Sequence, residues 1–227
     1  MRIENSAGLA AAGTTACEEI KLLPHVNPEL PKCLGEFDTL VDGLEYAARG
    51  VTGVNFYSPR GALADAVSYA ELRDRAKATA ARLINAGLKR GDRVAVVAET
   101  GASFMEVFYG CQYAGMLPCP MPYSMHIGGR EAYVERIAGM LQSADACAAI
   151  APDDLVESVR GAAEKASTGL VLTHDELAAI DGTGAELDPF TAGEAAYIQY
   201  SSGSTSSPKG VLISQKAITT NCRVILQ

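Results

Sequence analysis

The run Arg93-Val-Ala-Val-Val-Ala98 decides how this chain is read. Its apolar residues are consecutive, as in a strand buried on both faces of a parallel sheet. Ser103 to Ala114 follows with helical spacing, Phe104, Val107, Phe108 and Cys111 on one side and Gly115 as its stop. Met116-Leu-Pro-Cys-Pro120 is a short extended segment whose prolines point to a strand end or a sheet edge. The alternation then repeats. Arg130–Ser143 reads as a helix, Cys147–Ala151 as a strand, Asp153–Lys165 as a helix and Leu170–Leu172 as a strand. Strands separated by helices of about 10–15 residues imply crossover connections. The expected fold is α/β, a largely parallel sheet flanked by helices, with ligands beyond the carboxyl ends of the strands. A dinucleotide site has no support, because Glu99-Thr-Gly-Ala-Ser103 stands where Gly-x-Gly-x-x-Gly would be needed.

Outward from this centre, Leu72, Ala76, Ala80 and Leu83 repeat at helical spacing up to Gly87. They follow Ser68-Tyr-Ala-Glu71, which fits a capping box; Thr173-His-Asp-Glu176 fits another. Val54–Tyr57 is strand-like, and a helix is expected from Phe37 to about Gly50, with Leu40, Leu44 and Ala47 on one face. Residues 1–36 carry no sustained period and are punctuated by Pro24, Pro28 and Pro31; they are expected to be an irregular leader, and 37–227 one α/β unit. Ala7 to Ala16 has no Leu-rich centre and follows Glu4, so a leader is preferred to a secretory signal.

The 227 residues hold 27 acids against 19 bases, a net charge of −8, which disfavours nucleic acid and anionic membranes as partners. No stretch approaches the ~20 apolar residues of a membrane span. Cys17, Cys33, Cys111, Cys119, Cys147 and Cys222 show no Cys-x-x-Cys and no clustering with His25, His126 or His174. Reduced thiols in a cytoplasmic protein without a metal site are the expectation. His126 is read as a loop residue, His174 as part of a first helical turn, and Met121 and Met125 as packing residues.

Ala195–Tyr200 alternates as a strand, Val211-Leu-Ile213 is a second strand, and Ser214 can cap a last helix. Between the strands stands Ser201-Ser-Gly-Ser-Thr-Ser-Ser-Pro-Lys-Gly210. Glycines let successive N–H groups converge on one anion, Ser and Thr add hydroxyl donors, and Lys209 supplies a full positive charge. This chemistry suits a polyphosphate better than a solvated Ser/Gly hairpin does. It is not a Walker A loop: Pro208 stands where the second Gly should be, Gly210 where the magnesium-binding hydroxyl should be, and a strand follows instead of a helix.

Tyr200–Gly210 resembles the phosphate-binding signature of the adenylate-forming superfamily: acyl-CoA synthetases, luciferases and nonribosomal adenylation domains. Gly87-Leu-Lys-Arg-Gly-Asp-Arg-Val94 and Phe108-Tyr-Gly-Cys-Gln-Tyr-Ala-Gly115 support the resemblance, which covers roughly residues 38–227. Gln199-Tyr200 together with Tyr113–Pro118 is most similar to the fatty acyl-AMP ligase branch. The resemblance implies that 37–227 is the N-terminal α/β subdomain of an adenylation domain, part of a ligase that joins a fatty acid to ATP. The acyl-AMP would then pass to an acyl carrier protein or coenzyme A. Ser201, Ser202, Gly203, Ser204, Thr205, Ser206, Lys209 and Gly210 would bind the ATP phosphates, and Mg²⁺ would accompany ATP. It further implies a longer enzyme: no counterpart of the ribose-binding acid or the catalytic lysine is identified here, so these residues alone are expected to be inactive. Where many relatives carry a His after the second strand, Ser214-Gln215 stand here. The alternatives are a non-catalytic nucleotide- or anion-binding module and a structural domain in which the Ser-rich loop is idle.

Overall fold

The structure, a computed structural model, describes residues 20–123, 128–201 and 209–226. Its centre is a four-stranded, all-parallel sheet of β3 (Arg93–Val97), β4 (Leu117–Met121), β5 (Ala148–Ala151) and β6 (Leu170–Thr173), in the order β4-β3-β5-β6. The proline-bearing β4 lies at the edge, where a missing N–H costs no ladder bond.

Successive residues of β3 point to opposite faces, and each face has its own core. Val94 and Val96 pack with Ala148 and Ile150 against α2 (Tyr69–Asn85) and α3 (Ala102–Tyr113), through Leu72, Ala76, Leu83, Val107 and Cys111. Ala95 and Val97 pack with Cys119 and Met121 against α4 (Gly129–Ala144) and α5 (Val156–Ala166), through Ile137, Leu141, Val159 and Ala162. The consecutive apolar run is the consequence of this two-sided burial. Met121 is a core residue, as read; His126 and Met125 lie outside the described residues.

Other elements refine the sequence reading. α1 (Leu40–Ala47) begins three residues later than expected, because Thr39 and Asp42 form a reciprocal capping box. β1 (Gly53–Tyr57) pairs antiparallel with β2 (Leu63–Ser68), a strand not foreseen from Leu-Ala-Asp-Ala-Val, whose Ala and Asp are weak strand formers. The tight turn supplies it: Ser58 N–H donates to the Ala62 carbonyl at 2.8 Å, with Gly61 at φ +78°. At Ser68 only half of the capping box forms, since the Glu71 carboxylate turns to Arg75. At Thr173, opening α6 (His174–Ala178), both halves form. Residues 20–36 contain no helix or strand and are tied to β1 by Leu23, whose N–H donates to Asn55 Oδ1 at 2.9 Å. Among the described residues no helix is long and apolar enough to cross a membrane.

Candidate phosphate-binding site

β7 (Ala195–Ser201) and β8 (Lys209–Ser214) form an antiparallel pair beside the edge strand β4, and α7 (Gln215–Leu226) follows directly. Ser201 ends β7 and faces Lys209, the first residue of β8; both are exposed, and Tyr200 faces Gly210. A Cβ on Gly210 would lie 3.0 Å from Ile198 and 3.3 Å from the Tyr200 ring, so the strands approach closely there. Lys209 has no carboxylate partner among the described residues. Ser202, Gly203, Ser204, Thr205 and Ser206 lie outside the described residues. The structure therefore brings Ser201, Lys209 and Gly210 to one end of the hairpin.

The hairpin is tied to the sheet domain along its length. The Tyr200 hydroxyl donates to the Met140 carbonyl of α4 at 2.6 Å, and burial pushes its phenol well up from the ordinary value. Ile198 joins the α4/α5 core, and the Tyr197 ring meets Phe108 edge-on at 5.7 Å. At the base, Arg90 grips Glu194 through two parallel hydrogen bonds of 2.8 and 2.9 Å, reaches Asp188 at 2.7 Å and lies over the Phe190 ring. The Arg90 guanidinium, with help from the Thr191 N–H and hydroxyl, holds the Glu194 carboxyl down at about 2. Gly115, at φ +64°, lets the 188–190 segment pass: a Cβ there would sit 2.4 Å from the Asp188 carbonyl oxygen. Two segments that support the resemblance thus have a structural role, holding the entry to β7.

Deeper still, Gln112 of α3 and Gln215 of α7 are fully buried and joined at 2.7 Å. Sequence reasoning missed this pair. A signal exists: Gln112 falls four residues after Phe108 and eight after Phe104, an apolar register in which a polar side chain needs a buried partner.

A cavity of about 370 Å³ lies beyond the carboxyl ends of the parallel strands and is bordered by Glu99, Tyr123, Asp153, Asp154, His174 and Asp175. Burial lowers the His174 pKa below the ordinary imidazole value. The carboxylates there would repel a polyphosphate, which leaves the cation-bearing hairpin end as the better phosphate site.

The chain is similar to known proteins over most of its length. The sequence model of the family described as AMP-binding enzyme matches residues 55–227. A putative acyl-CoA synthetase of Caulobacter vibrioides is 44% identical over 193 residues, 84% of this chain and 33% of that protein. A medium-chain-fatty-acid–[acyl-carrier-protein] ligase, JamA, of Moorena producens is 26% identical over 84% of this chain and 33% of its own. A chain solved in structural and functional studies of fatty acyl-adenylate ligases from E. coli and L. pneumophila superposes with a TM-score of 0.81 at 39% identity, covering 86% of this chain and 35% of that one.

Proposed function

The chain belongs to the AMP-binding enzyme family, and from that premise we propose that it carries the ATP-phosphate-binding part of a ligase that activates a fatty acid as acyl-AMP. It spans about a third of the length of the relatives it matches, so the reaction is proposed for the complete gene product. The observation that carries this reading is the Ser201–Gly210 signature set between two paired strands, with Lys209 opposite Ser201 and without a carboxylate partner among the described residues.

The chemistry requires such a loop. A carboxylate is a weak nucleophile that must approach an already anionic α-phosphate, and pyrophosphate must leave. Donors fixed around the β- and γ-phosphates reduce the repulsion and stabilise the charge that develops on the leaving group. In this reading Ser201, Ser202, Gly203, Ser204, Thr205, Ser206 and Gly210 supply hydroxyl and backbone donors to the phosphates, and Lys209 meets the leaving phosphates. Hydroxyls and an ammonium suit phosphate oxygens; Mg²⁺ arrives with ATP, and no residue of this chain is assigned to it. The acyl group then passes to a thiol, of an acyl carrier protein or of coenzyme A. Relatives named for each acceptor support that pair, and the 39% identity to a fatty acyl-adenylate ligase chain supports the fatty acid.

Fatty-acid-dependent exchange of labelled pyrophosphate into ATP by the complete gene product is the expected result, with none from residues 1–227 alone. Binding of ATP without any acid-dependent exchange in the complete product would instead mark a nucleotide-binding module. Robust exchange by the 227-residue chain would refute the division of labour proposed here.

A further inference from the structure

The register of β7 and β8 has a gap at Ala196. Pairing passes from Ala195–Ser214 to Tyr197–Ile213, so two residues of β7 oppose one of β8 and Ala196 is the extra residue of a β-bulge. The carbonyl of Ala196, itself fully buried, is taken up from outside the ladder: Gln112 Nε2 donates to it at 2.5 Å. Gln112 Oε1 in turn accepts from Gln215 Nε2 at 2.7 Å, and that same nitrogen lies 3.4 Å from the Ala195 carbonyl. Gln215 Oε1 accepts from the N–H of Leu40, one of the orphan donors at the start of α1, at 3.0 Å. Both amides are thus satisfied at both ends in a chain that runs one way, from α1 through Gln215 and Gln112 into the bulge. A bulge bends its strand and raises the local twist, so whatever holds it sets the direction in which the rest of the strand points. Five residues beyond Ala196, β7 ends at Ser201, opposite Lys209.

We propose that Gln112 and Gln215 are positioning residues that lock the Ala196 bulge and so aim the Ser201–Lys209 end of the hairpin at its phosphate ligand. The inference rests on the phosphate-binding reading of that end. Neither glutamine touches the ligand; each acts through the backbone of β7. Loss of the pair lets the bulge relax or migrate along the strand, and a shift of one residue would turn the side chains beyond it to the opposite face.

The test uses the 227-residue chain titrated with ATP, followed by backbone amide shifts, on the wild type, Lys209→Ala, Gln112→Met and Gln112→Glu. Gln112→Met keeps the volume and removes both hydrogen-bond functions; it is expected to bind ATP about tenfold more weakly than wild type at a temperature where both are folded. Gln112→Glu, kept neutral by burial, can still donate to Ala196 and accept from Gln215, and is expected to return to within about threefold of wild type. Folded Gln112→Met with wild-type affinity, alongside a weakened Lys209→Ala, overturns the positioning role and leaves the phosphate reading intact. A wild-type chain that takes up no ATP, or a Lys209→Ala chain that binds like wild type, overturns the phosphate reading and this inference with it. Should Gln112→Met not fold, Gln215→Asn decides. One methylene shorter, it cannot hold Gln112 and Leu40 together, and wild-type ATP affinity in that variant overturns the proposal equally.

Discussion

Arg90 and Glu194 meet fork to fork, through hydrogen bonds of 2.8 and 2.9 Å, across 104 residues of sequence. Such bidentate pairs carry geometry as well as charge. Arg90 sits just before β3, the centre of the parallel sheet, and Glu194 just before β7, the strand that leads to the candidate phosphate loop. The pair therefore registers one sheet against the other.

Its first consequence is a pH dependence. The Glu194 carboxyl titrates at about 2 in the folded chain, against about 4.3 when unfolded. A depressed carboxylate contributes stability that is fully present above the unfolded value and is lost as pH falls through the folded one. Wild type should lose more stability than Glu194→Gln as pH drops from about 5 towards 2, and the two curves should run parallel above pH 6. Urea midpoints across that range measure it; identical slopes in the acid window would contradict the role given to Glu194.

Gly115 offers a test of the same corner by size. Gly91, at φ +87°, has open space around the missing side chain, so Gly91→Ala should cost only backbone strain, about 1–2 kcal/mol. Gly115→Ala adds contacts of 2.4 Å with the Asp188 carbonyl and 2.9 Å with Arg90 Cγ, which should raise its cost by about 1–3 kcal/mol more. Paired denaturant titrations distinguish them, and equal losses would mean that the 188–190 segment yields freely.

For Lys209 the expectation concerns rate. In the complete gene product Lys209→Ala should slow adenylation by roughly ten- to a hundredfold, the loss of a charge-assisted contact of about 1.5–3 kcal/mol. Lys209→Arg should restore it only in part, because a planar fork does not reproduce a compact charge. Thermal stability should barely change, since Lys209 is exposed and without an ion-pair partner among the described residues. Transfer from preformed acyl-AMP should be spared, because pyrophosphate has already left. A wild-type adenylation rate in folded Lys209→Ala would remove the lysine from the site.

The thiols should divide by burial. Burial pushes the Cys119 thiol up to about 12 and Cys111 higher still, and both are inaccessible. Thiolate fraction and access together set reactivity. Cys33 and Cys222, both partly exposed, should react with iodoacetamide in the native chain, whereas Cys111 and Cys119 should react only on unfolding. Mass spectrometry after pulse labelling reads this directly, and early modification of Cys111 would show that the α2/α3 side of the core opens.

The sequence by itself determined the elements whose signals are local. The Arg93–Ala98 run, the helical spacing of Leu72 to Leu83, the prolines of the edge strand β4 and the Thr173–Glu176 box each depend on neighbours within a few residues, and each is found in the folded chain. The Ser201–Gly210 motif was legible for the same reason, as a concentration of donors in ten consecutive residues. Only the tertiary structure decided what that motif is fastened to. Strand β2 owes its existence to pairing with β1 rather than to its own residues, and the bulge at Ala196 is satisfied by a glutamine 84 positions away. Gln112 and Gln215 stand 103 residues apart, and nothing near either one names the other. A buried amide must find a partner when water is excluded, but which partner it finds is set by how the sheets close over it, and that is a property of the assembled fold.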